Sequence, residues 1–90
     1  MYVKNVVDSS RFSKPYGYDS WLDYWKSQTG QNPTCCSADD CNGKDLIGAH
    51  VQKAYSDDNR CYIVPLCSAC NKRTDVFNVS NTLIPAPNYY

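Results

Sequence analysis

Six cysteines in a chain of 90 residues set the terms on which it can fold. Cys36 and Cys41 have four residues between them, Cys67 and Cys70 have two, and His50 lies between the pairs. A thiolate pair at that spacing bends its backbone around one ion, and two such pairs complete the tetrahedral shell that zinc prefers. The chain needs such a staple. A domain of this length buries only a little over about 60% of its unfolded surface, and few aliphatic side chains are present to build its core. Eight tyrosines and two tryptophans supply apolar area instead, with polar tips that must reach water or a partner.

Cys35 and Cys36 are adjacent. Their side chains diverge and a fifth thiolate exceeds the zinc shell, so only one of them shares an ion with Cys41. Cys36 gives the tighter spacing, and the assigned ligands are Cys36, Cys41, Cys67 and Cys70. Cys35 and Cys61 are then left as small buried apolar residues. Six cysteines also suit three disulfides in an exported protein. Yet Met1 to Arg11 lacks the apolar stretch of a signal peptide, and no segment approaches the roughly 18 consecutive apolar residues of a membrane span. The expectation is an intracellular, cytoplasmic protein with reduced thiols and a structural Zn2+, away from membranes.

Taken in order, Tyr2 to Val7 is a short β-rich run, and Arg11 to Gly17 is a loop broken by Pro15 and Gly17. Asp19 or Ser20 caps a helix over 20–29, with Asp23 three residues after Ser20 and Gly30 placed to end it. Trp21, Leu22 and Trp25 share one face of that helix. One reading packs this stripe on the metal module; the other exposes Trp21 and Trp25 as an aromatic patch for a partner. Leu46 to Val51 and Cys61 to Val64 read as the arms of a β-hairpin, turned through Ser56-Asp57-Asp58-Asn59 and ended by Pro65. Cys67 to about Thr74 reads as a helix whose N-terminal dipole offsets the thiolate charge. Phe77 to Val79 and Thr82 to Ile84 are brief strands before an extended Pro-Tyr tail. The division is a single domain: 1–34 a strand and helix extension, 35–75 the zinc module, 76–90 the tail.

The run Gly48-Ala49-His50-Val51, followed by Tyr62-Ile63-Val64-Pro65-Leu66-Cys67 and then Cys70-Asn71, resembles the core of HNH endonucleases. That likeness covers the middle of the chain. It implies an α+β treble clef of ββα form, stapled by zinc. His50 would be the general base that deprotonates water, and Asn71 would be a ligand of a catalytic Mg2+ or Mn2+. Two positions depart from the family pattern: Ala49 stands where a metal-ligating aspartate or histidine is usual, and Tyr62 where an asparagine is. A methyl group cannot coordinate magnesium, which takes oxygen ligands in an octahedron.

Three functions follow. An active nuclease would use His50 and Asn71. A non-catalytic module would bind nucleic acid, with Lys53, Lys72 and Arg73 on phosphates. A protein-binding module, of the kind found in small phage-like or mobile-element proteins that modulate a host protein, would use its tyrosines and tryptophans. Formal net charge is zero, whereas chains that hold a duplex through its phosphates carry a basic surplus. The sequence therefore leans away from an enzyme and toward a binding module, for nucleic acid by resemblance and for protein by composition.

Overall fold

The computed structural model describes residues 1–6, 17–58 and 60–86. The loop expected over 11–16 and the end of the tail, 87–90, lie outside them. Among the described residues the fold is α+β, a five-stranded antiparallel sheet and one α-helix. Strands β1 (Tyr2–Asn5), β2 (Leu46–Lys53), β3 (Tyr62–Cys67), β4 (Phe77–Asn78) and β5 (Ile84–Pro85) lie in the order β4-β1-β2-β3-β5. The N-terminal run is thus no appendage. It is an interior strand, with Val3 opposite Lys53 on one side and Phe77 on the other.

The helix α1 spans Trp21–Thr29, as its signals indicate. Ser20 Oγ accepts from Asp23 N at 3.1 Å, and Gly30 closes the other end at φ 69°. Gly30 N–H donates to the Lys26 carbonyl at 2.8 Å, the left-handed cap that glycine adopts without a Cβ penalty.

Alternation along the strands gives the sheet two faces with different work. On one, Trp21, Trp25 and Ile63 form a small core under α1, with Tyr24, Ile84 and Ala86 at its margin. Trp25 is fully buried and its Nε1 donates to Thr82 O at 2.8 Å, tying the approach to β5. Trp21 is 9% exposed. The tryptophan stripe is therefore core, and the exposed-patch reading of Trp21 and Trp25 is corrected: a helix over a sheet this small must spend its largest side chains there. Gly48 makes the close approach feasible, since a Cβ on it would lie 2.4 Å from Leu22 N and Trp21 C.

On the other face Val3, Ala49, Val51, Tyr62, Val64, Leu66 and Phe77 pack with Cys36, Cys67 and Cys70. This second core is the larger, and it carries the cysteines.

Two expectations about the hairpin need correction. Pro65 does not end β3; it pairs with Gly48 inside the strand. The Pro65 carbonyl accepts from Ser37 N at 3.0 Å on the side away from β2. Its nitrogen faces the same way, so the missing N–H costs no ladder bond. The helix expected after Cys67 is also absent among the described residues. A single 3-10 turn, Cys70–Lys72, stands there and gives way to extended backbone at Arg73. Asn5 explains the stop: its Nδ2 donates to the carbonyls of Cys70 and Arg73, each at 2.9 Å, in competition with helical N–H groups. No described helix is long and apolar enough to cross a membrane.

Candidate metal centre

Two loops bring the four sulfurs together. The first, Cys36 to Cys41, is bolted to the sheet by its backbone: Ser37 N donates to Pro65 O, Asp39 N to Asn78 O at 3.0 Å, and Ala38 bridges Val79. Ser37 is buried, and its hydroxyl accepts from Asn81 Nδ2 at 2.7 Å. The second is the end of β3 and the 3-10 turn, which present Cys67 and Cys70. The sulfurs of Cys36, Cys41, Cys67 and Cys70 all lie within 4.8 Å of one another, and Cys41 Sγ is 3.5 Å from Cys67 Sγ. Zinc with bonds of about 2.3 Å places tetrahedral thiolates about 3.8 Å apart. The spacing fits one ion held by four sulfurs. It does not fit cystines, and all six cysteines are free.

The surroundings suit thiolates. Gly43 N–H donates to Cys41 Sγ at 3.4 Å and Cys70 N–H to Cys67 Sγ at 3.5 Å. These two amides do the task expected of a helix dipole. Gly43 has no room for a side chain, because a Cβ there would lie 2.7 Å from Cys67 Cβ and 3.0 Å from its Sγ. The Cys70 N–H pulls the Cys67 pKa down, while burial pushes the Cys36 and Cys70 thiols up. Four crowded sulfurs of this kind suit a dication, which would deprotonate the thiols it bound and supply their counter-charge. Of the adjacent cysteines it is Cys36 that joins the cluster; Cys35 and Cys61 are half-buried, more open than the apolar filling expected of them.

His50 lies elsewhere. Its ring stands edge-on to Trp21 at 4.7 Å and 82°, under α1, only 4% exposed. Burial lowers its pKa to about 4. Asn71 follows Cys70 and lines a cavity with Lys4, Asn5 and Lys72. Strand alternation turns His50 away from the cysteines: Ala49 and Val51 face them, so His50 between them cannot.

The basic residues also differ from expectation. Arg73 is clamped by Asp75 at 2.6 Å and Asp40 at 3.0 Å, and its guanidinium lies 4.5 Å from the Phe77 ring centre. It links the first cysteine loop to the exit of the 3-10 turn. Lys53 lies 3.6 Å from Asp58 and over the Tyr62 ring. Arg60 and the Tyr62 hydroxyl hold the Asp58 carboxyl well below the usual carboxylate range. Lys72 is exposed and has no ion pair among the described residues. Sequence reasoning missed Gly43 and Asn5, and only the placement of Gly43 two residues after Cys41 signalled the first.

Comparison with protein-family models, characterised proteins and solved structures finds no match for this chain.

Proposed function

We propose that the chain is a binding module built on a structural zinc ion, with no catalytic role for the metal. The observation that carries this reading is the closed set of four mutually close sulfurs. A four-thiolate shell leaves no open position for water or substrate, whereas catalytic zinc keeps one. A tetrahedral sulfur site also accepts iron; zinc is the ion that asks no redox partner. The HNH resemblance supports the same assignment of ligands and suggests a treble-clef origin for the hairpin and its knuckle, shortened where the family has a helix.

Nuclease activity is poorly supported. His50 is buried against Trp21 on the α1 face and only 4% exposed, so it has little access to a water it would deprotonate. Incubation with plasmid and either ion, beside His50→Ala, tests this. The expected result is no cleavage by either protein. Cleavage lost in the variant would reinstate the enzyme. The binding reading itself is tested by the metal: purified protein should carry one zinc per chain, and Cys70→Ser should lose both the ion and the folded state.

A further inference from the structure

Away from the metal, an aromatic and basic surface runs across the end of the sheet. Tyr55 is 85% exposed, and its backbone sits at φ 58°, the left-handed region that a bulky residue seldom adopts. Such a conformation costs about 1 kcal/mol or more, here at a tyrosine presented to solvent. Its ring packs on Tyr2, itself 53% exposed, with centroids 6.1 Å apart and planes at 64°. Beside Tyr55 is a hollow of about 210 Å3, and a second of about 570 Å3 opens toward the 3-10 turn. Lys4 and Gln52 line both, so the two adjoin, and Asn71 and Lys72 line the second. Lys4 and Lys72 make no ion pair among the described residues.

We propose that this surface binds a single strand of nucleic acid, with a base stacked on Tyr55 and phosphates on Lys4 and Lys72. Exposed rings beside ammonium groups that pair with no carboxylate among the described residues are the two parts such a site needs, and Asp58, which also lines the hollow beside Tyr55, is held by Lys53 and Arg60. A duplex fits poorly, since its bases are already stacked and two such cations match few of its phosphates. Lys4, Gln52, Asn71 and Lys72 supply the polar contacts along this lining, and competition by a peptide separates a nucleic-acid strand from a protein partner. The inference rests on the binding-module reading and names its partner.

The test is fluorescence anisotropy of a labelled oligothymidylate of about ten nucleotides, titrated with the zinc-loaded full chain. Binding should weaken with salt at a log-log slope of about −1.4, from two phosphates at about 0.7 each. Tyr55→Asn keeps a residue at ease in the left-handed region and should weaken binding about five-fold or more, leaving the slope unchanged. Lys4→Gln with Lys72→Gln should flatten the slope. The proposal is overturned if the strand does not bind, if Tyr55→Asn binds as well as the parent, or if a duplex of equal length binds more tightly. Competition by an acidic peptide as strong as by unlabelled strand would also overturn it, in favour of a protein partner. Zinc is measured on the same sample. Loss of strand binding with zinc in place refutes this inference alone; a folded protein without metal refutes the reading beneath it.

Discussion

Gly48→Ala is the substitution whose outcome the geometry fixes most sharply. The added methyl would stand 2.4 Å from both Leu22 N and Trp21 C, and 2.7 Å from Trp21 Cβ. Ordinary carbon contacts are about 3.5–4.0 Å, so α1 would have to lift by about 1 Å. Its first turn cannot rotate away as a flexible side chain could, because two of the three atoms are backbone. Overpacking costs about 1–3 kcal/mol, and a rigid neighbour puts this case at about 3 kcal/mol. A chain of this size has about 5–13 kcal/mol of total stability, and at about 4 °C or more per kcal/mol the melting temperature should fall by about 12 °C or more. Guanidinium unfolding followed by tryptophan emission is the assay, since Trp21 and Trp25 both pack under α1. Gly30→Ala is the comparison. Gly30 has φ 69° and nothing within 4 Å of where an added methyl would stand, so only the left-handed backbone penalises it, at about 1 kcal/mol. If Gly48→Ala lies within about 0.5 kcal/mol of the parent, or costs less than Gly30→Ala, the seating of α1 on β2 is wrong.

Other outcomes follow from single contacts. Gly43→Ala should lower zinc affinity about ten-fold or more, by crowding Cys67 and disturbing the N–H donor to Cys41; competition with a chromophoric chelator measures it, and unchanged affinity would contradict the packing. Trp25→Phe removes the donor to Thr82 O and should cost about 1–3 kcal/mol in denaturant unfolding, with faster amide exchange at Ile84 where the strand is released. His50 should titrate near 4 by NMR, not near its ordinary 6.5. The folded pKa is the lower one, so the unfolded chain takes up the proton first. Stability is then full above pH 6.5 and falls as pH drops toward 4, by about 3 kcal/mol at about 1.36 kcal/mol per pH unit. A midpoint near 6.5 would mean an exposed ring.

What the sequence disclosed was mostly local. Ser20, Asp23 and Gly30 bracket α1 because caps act within one turn, and the cysteine spacing singles out the four sulfurs that come together because each pair sits on one short stretch of chain. What stayed hidden depended on distant partners. Pro65 reads as a strand end until Ser37 is known to cover the side where its N–H is missing. Cys67 to about Thr74 reads as helix until Asn5, a residue 65 positions from Cys70, competes for its carbonyl. Tyr2 to Asn5 reads as an extension, yet its partners in β2 and β4 lie far along the chain. His50, the general base that the HNH resemblance implied, lies in a core, because one strand position decides which face of the sheet a side chain meets.

The metal decides the account. Native mass spectrometry of the purified chain, paired with circular dichroism during chelator titration, should find one zinc per chain and loss of the folded signal as the ion is withdrawn, with both restored by added zinc. A chain without metal that keeps its fold in excess chelator, or one whose mass shows bridges among Cys36, Cys41, Cys67 and Cys70, would contradict it.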